Sequence, residues 1–281
     1  MSEFQIFRIK VFPSQQLNFL EKDKGRADIL REVIQTKPSA KLRKEMIWHI
    51  GNVKKIGENG FYFRIGRIVE SKIEVLSEGD FVDQPLKTAP YTHVILDPQL
   101  EIIAIAKKIK LSPTISGIAN QFIRLLNESE RAHQIAATFE ISAITDPEDF
   151  ISHLKQAYAI SRFWVRFSKP NPFDVNQDFI QPMQKLLKES SGEKGKTELE
   201  GQNLNPQSLE EIARSAASTG DDAGASIQMA EGQRKIRKRL KGNPIKISQQ
   251  EDINQDEQKK NLLDQIRNIY QKNRGKLNID D

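Results

Sequence analysis

Ile47-Trp48-His49-Ile50-Gly51-Asn52-Val53 runs through Glu58-Asn59-Gly60 into Phe61-Tyr62-Phe63-Arg64-Ile65-Gly66-Arg67-Ile68-Val69. Two runs rich in β-branched and aromatic residues on either side of Asn-Gly predict a hairpin, since Asn and Gly accept the positive φ of a tight turn. In the returning run Phe61, Phe63, Ile65 and Arg67 share one parity, and Tyr62, Arg64 and Ile68 the other. The β pattern extends from Met46 to Lys107. Phe81-Val82 and Tyr91–Leu96 read as strands, Asp97-Pro98 as a turn and Glu101–Ala106 as the return. Tyr91–Leu96 and Ile102–Ile105 are mostly apolar, which predicts a central place in the sheet.

Upstream, Phe4, Ile6, Ile9, Val11 and Phe12 predict a first strand with a bulge, ended by Pro13. Leu17, Leu20, Ile29, Leu30, Val33 and Ile34 have helical spacing, interrupted near Gly25. Downstream the rhythm changes. Ser112-Pro113 opens a helix with the stripe Ile115, Ile118, Ala119, Phe122, Leu125 and Leu126. Phe139–Ile144 is a strand, Asp146-Pro147 caps a helix, and Phe163-Trp164-Val165-Arg166-Phe167 is a strand again. A third helix runs to about Lys188 with Pro182 in its first turn. This alternation predicts helices on one face of a sheet.

The fold class expected is therefore α+β. It has a β-rich N-terminal half with antiparallel hairpins, an alternating α/β section, and a basic β-hairpin and amphipathic helix at the C-terminus. Residues 1–189 form the body, the Ser/Gly/Lys-rich stretch 190–208 a linker, and 209–281 a basic C-terminal module. In that module Ala225–Ala230 and Lys235–Leu240 flank Glu231-Gly232 as a hairpin, with a helix as the competing reading. Leu262, Leu263, Ile266, Ile269 and Tyr270 fall at helical spacing near the end, a stripe that asks for a protein partner or a second copy.

The chain has no cysteine, which excludes disulfides, thiolate metal sites and Cys nucleophiles. The N-terminus has no basic segment followed by an apolar one, and no apolar run approaches the ~20 residues of a membrane span. A cytoplasmic protein without membrane contact is the expectation. The motif balance is against catalysis. No phosphate-cradling glycine loop and no nucleophile elbow occur, and the four histidines, His49, His93, His133 and His153, lack metal-ligand spacing. His49 and His93 could meet if their strands are neighbours. No cofactor, metal or catalytic residue is assigned. Glu70-Ser71-Lys72 matches the tripeptide of metal-dependent nucleases, without the acidic residue expected on the preceding strand. Asp80 and Asp83 read as strand-edge decoration.

Charge is the informative feature. Arg234, Lys235, Arg237, Lys238, Arg239, Lys241 and Lys246 lie in one window without an acidic residue. The whole chain carries +5, so outside these seven cations it sums to −2. In a strand, Lys235, Arg237, Arg239 and Lys241 share a face, and Ile236 and Leu240 anchor the other. Such a row repels itself unless an anion lies along it, and phosphates are the usual anion. Aromatics interleaved with cations suit bases and phosphates together. Phe61-Tyr62-Phe63-Arg64 and Arg162-Phe163-Trp164-Val165-Arg166 both have that texture, or else are sheet core edged by arginine stems.

The strand Phe163–Phe167 running into Lys169-Pro170-Asn171-Pro172, and the Leu96-Asp97-Pro98 turn between apolar strands, resemble uncharacterised bacterial proteins of phage-defence islands. The resemblance covers Phe4 to about Lys188. It implies antiviral defence by acting on or sensing DNA or RNA, and carries over no catalytic residue. The leading expectation is a non-catalytic nucleic-acid-binding subunit of a larger complex, gripping phosphates through the seven cations. An assembly subunit docking through the terminal helix and a divergent nuclease are the alternatives.

Overall fold

The structure is a computed structural model describing residues 2–13, 24–42, 46–168, 180–192, 194–249, 253 and 255–274. In chain order it holds β1 (Ser2–Pro13), α1 (Arg26–Gln35), β2 (Ser39–Lys41), β3 (Ile47–Ile56), β4 (Gly60–Arg67), β5 (Val69–Ser77) and β6 (Asp80–Thr88). Then come β7 (Tyr91–Asp97), β8 (Ile102–Ala106), α2 (Ile115–Asn127), α3 (Glu130–Gln134), β9 (Ala137–Ala143), α4 (Glu148–Gln156) and β10 (Ala159–Ser168). The chain continues with α5 (Ile180–Glu189), β11 (Lys194–Glu200), α6 (Pro206–Thr219), β12 (Ala223–Gln228), β13 (Ile236–Arg239), β14 (Lys246–Gln249) and α7 (Asp256–Arg274). The class is α+β with antiparallel hairpins, as expected. Leu17, Leu20 and Lys169–Pro172 lie outside the described residues.

The larger sheet has the order β14-β1-β8-β7-β4-β3-β2, with β9 beside β1. β7 and β8 are central, and every residue of β8 is buried. The β3–β4 hairpin forms with Ile56 opposite Gly60, and its register slips between Gly51 and Lys54. Two compact units divide the chain. The first comprises Met1–Gln5, Val11–Ile141 and Ile247–Leu263; the second comprises Ile6–Lys10, Ser142–Lys246 and Asp264–Asp281.

In the first unit, α2 lays its expected stripe on the sheet, and Phe122 stacks on Phe63 with ring centroids 5.7 Å apart. The cap of α2 is Thr114, whose hydroxyl accepts from the Gly117 amide, two residues beyond the expected Ser112. His49 lies opposite Gly66 and His93 opposite Arg64, so the two histidines sit on either side of β4 and are not neighbours. His93 Nδ1 instead meets the Tyr62 hydroxyl at 2.8 Å. β5 and β6 form a separate two-stranded sheet, and every residue of β6 is exposed.

In the second unit the sheet order is β11-β10-β12-β13, all antiparallel. One face is packed. Ile160, Phe163 and Val165 of β10 meet Phe150 and Leu154 of α4 and Leu209, Ile212 and Ala216 of α6. Burial of this kind is the main stabilising term, and truncating a fully buried Phe such as Phe163 costs roughly 3–5 kcal/mol. Asn205 caps α6 by accepting from the Gln207 amide, and Gly220 closes it at φ 69°, the left-handed region that glycine enters without cost. Arg214 of α6 clamps Glu210 and reaches Glu148 of α4 at 2.7 Å.

Two expectations are corrected here. Within the stretch read as a linker, Lys194–Glu200 is β11, paired along its length with β10. The α7 stripe is not left open. Leu262, Leu263, Ile266 and Tyr270 are buried and Ile269 is half-buried. A side chain at Gly60 would strike Leu263, and Tyr270 accepts from Arg8 Nη1 at 2.7 Å. Most of the stripe is therefore used inside the chain.

Candidate nucleic-acid interface

The second face of the β11-β10-β12-β13 sheet follows from alternation along β10. Because Phe163, Val165 and Phe167 point to the helices, Arg162, Trp164 and Arg166 must point away. The ladders then fix what stands beside each. Arg162 lies opposite Glu200 of β11 and Ser226 of β12, and Ser226 lies opposite Arg237 of β13. Trp164 lies opposite Glu198 and Gly224, and Gly224 lies opposite Arg239. Arg166 lies opposite Lys196.

These rows line a groove of about 650 Å³ with Arg162, Trp164, Arg166, Lys196, Glu198, Glu200, Lys235, Arg237, Lys238 and Arg239 in its walls. Four of the seven expected phosphate contacts are thus brought together. Lys238 is a partial exception, because its ammonium lies 3.0 Å from His153 Nε2 of α4, on the packed side. Arg234 and Lys241 flank β13 outside the lining, and Lys246 belongs to β14 in the other sheet. The anchor expected of Ile236 is absent, as that side chain is 40% exposed, whereas Leu240 is buried.

Some of the charge on this face is spent internally. Glu198 takes Arg162 Nε at 3.0 Å and Lys196 Nζ at 2.6 Å, and Glu200 takes Arg162 Nη2 at 2.5 Å. The Lys196 hydrogen bond holds the Glu198 carboxyl below the ordinary carboxylate range, and the charges of Lys196, Arg162 and Arg237 add to it. The Glu198 carboxylate therefore stands ionised among the cations at neutral pH. Glu198 and Glu200 both draw their close ion pairs from β10 and β11, while Arg237 and Arg239 of the ribbon lie across the sheet.

Trp164 is half-buried on this face. Its indole rests against Gly224, where a Cβ would stand 2.8 Å from the ring. Arg166 and Lys196 hold their charges 5.7 and 5.6 Å from its centroid. The other aromatic–cation stretch has a different fate. Phe61, Tyr62 and Phe63 are all buried, and Arg64 is bound to the Tyr62 hydroxyl and lies 4.2 Å over the Tyr91 ring. That stretch is core.

Lys196, Glu198 and Glu200 were hidden by the linker reading. The signal was present: Lys196, Glu198 and Glu200 alternate with Thr197 and Leu199, a period of two without strong apolar residues. Glu70 and Lys72, by contrast, sit on the exposed β5–β6 hairpin, where Glu70 pairs with Lys87 at 3.2 Å and Lys72 with Asp83 at 3.7 Å. Among the described residues no three His, Asp or Glu side chains converge as a metal site, and no helix is long and apolar enough to cross a membrane.

The fold and site define an α+β protein with an open, cation-lined antiparallel sheet face backed by helices. The chain belongs to the family described as Domain of unknown function (DUF4747), whose pattern covers residues 16–268. The family is uncharacterised, and nothing in this match ties the chain to phage-defence islands. A comparison with curated proteins returned no match.

Proposed function

We propose that the chain binds nucleic acid without catalysing a reaction on it, through the open face of the β11-β10-β12-β13 sheet. One observation carries this reading. Lys235, Arg237 and Arg239 share a groove with Arg162, Arg166 and Lys196 from two other strands, against the two carboxylates Glu198 and Glu200. Cations held together by folding raise one another's electrostatic cost, which a polyanion relieves. Phosphate contacts position a strand without reading its sequence, so little base preference is expected.

The test is a salt titration of binding to a labelled oligonucleotide. Log affinity should fall linearly with log salt, by roughly 0.7 per phosphate neutralised on a single strand or 0.9 on a duplex. An affinity unchanged between low and high salt removes the reading, as does the absence of binding at low salt.

A further inference from the structure

The groove differs from a plain basic patch in its floor. Trp164 sits on β10, a central strand, and lies against the bare backbone of Gly224. Arg162 and Arg166 are two residues before and after it on the same face, each about 6.8 Å away along the strand. Across the sheet, Arg239 is in the row of Trp164 and Arg237 in the row of Arg162. An aromatic ring on a sheet floor, with cations on both sides along the chain and at one edge across it, matches a base between its own phosphates.

The ring also says which form of nucleic acid fits. In a duplex each base is stacked above and below by its neighbours, so its face is not offered to a protein side chain. An unpaired base has a free face, and stacking on an aromatic ring is how single strands are held with little sequence preference. The groups beside Trp164 can yield. Arg166 and Lys196 are flexible side chains, 66% and 47% exposed, not packed against a core. An arriving base displaces them from the ring, and they remain within reach of the phosphates on either side.

We propose that this face takes single-stranded nucleic acid, with one base stacked on the Trp164 indole and the adjoining phosphates on Arg166, Arg237 and Arg239. The proposal rests on the nucleic-acid reading above and narrows it to a strand class. Gly224 is a positioning residue: a side chain there pushes the indole off the floor without altering any charge.

The experiment measures binding of the full chain to a single-stranded RNA oligomer, a single-stranded DNA oligomer and a DNA duplex by anisotropy, with tryptophan emission as a second readout. The chain has two tryptophans, and Trp48 is buried, so quenching by a bound base reports Trp164. Single strands should bind more tightly than duplex and quench emission. Trp164→Ala should weaken single-strand binding by about 5- to 100-fold and abolish the quenching, while leaving duplex binding within twofold. Trp164→Phe should retain most of the affinity. Gly224→Ala should reproduce the loss with Trp164 in place, which guards against a misfolded Trp164→Ala variant. The RNA and DNA arms decide which sugar is preferred, since the stacking chemistry is common to both.

Equal binding of single strand by wild type and Trp164→Ala, or tighter binding of duplex, overturns the stacking proposal. If Arg237→Ala/Arg239→Ala still weakens all three ligands, phosphate binding stands and the base-stacking step alone has failed. If neither variant changes a salt-sensitive affinity, the face is not the site and both readings fall together.

Discussion

Glu198 works against the surface it belongs to. Its carboxylate stands one strand from Trp164, where a phosphodiester chain would pass, and repels it. Lys196 hydrogen-bonds to it, and with Arg162 and Arg237 keeps its pKa below the ordinary 4.5. A depressed value means the negative charge is fully present at neutral pH and is lost only as pH falls through that lowered value. A bound polyanion acts in the opposite direction, so binding and protonation of Glu198 favour each other. Glu198→Gln should therefore tighten nucleic-acid binding at pH 7, by roughly two- to fivefold at low salt, on the scale of one exposed charge interaction. The gain should shrink in 0.5 M salt and disappear as pH falls through that lowered value, where wild type loses the same charge. Weaker binding by the variant would show that Glu198 orders Lys196 and Arg162 for the ligand and does not oppose it.

Among the described elements, the β5–β6 ribbon stands apart, since each strand pairs with the other and with no further described strand. A two-stranded ribbon is marginal in water by itself. Phe81 at its end is 85% exposed and Leu76 opposite it 67%. The ribbon joins β4 to β7, which are already neighbours with Gly66 opposite Tyr91. Removing Ser71–Leu86 and bridging Glu70 to Lys87 with Asn-Gly should leave a folded chain, because an Asn-Gly turn closes the shortened ribbon. The melting temperature should stay within about 3 °C of wild type, the shift that ~1 kcal/mol produces at this size. A fall of more than ~10 °C would show that the ribbon is part of the fold's support. Elements of this kind were readable to different degrees. The β3–β4 hairpin and the α2 stripe announce themselves because buried faces force a strong period. β11 does not, since one of its faces is solvent and the other offers Gly195, Thr197 and Leu199 in place of large apolar groups. The open face was half legible for the same reason. Strand parity alone sends Arg162, Trp164 and Arg166 to one side, but nothing in the spacing says whether helices cover that side. The partners of α7's stripe, such as Gly60 for Leu263, are distant in sequence, so its burial could not be read from its period.

On the scale of the whole chain, the net charge of +5 conceals a concentrated +7 against a remainder of −2. Two physical pictures make different predictions from that number. If the chain draws polyanions by its net charge, any pair of exposed lysines contributes alike, because a diffuse field is blind to where the charge sits. If a strand of phosphates lies in the groove, the cations that release counterions are those in contact with it. Lys107→Ala/Lys108→Ala and Arg237→Ala/Arg239→Ala both lower the formal charge to +3. Lys107 and Lys108 are exposed beyond the end of β8, and Arg237 and Arg239 line the groove. Against a single-stranded oligomer, the groove variant should flatten the log–log salt slope by roughly 1.4, two phosphates at about 0.7 each. The Lys107/Lys108 variant should keep the wild-type slope and lose affinity by less than about threefold, since neither side chain lines the groove and salt screens exposed charges. Equal changes of slope in the two variants would mean that the attraction is diffuse and that the groove's geometry has no part in it.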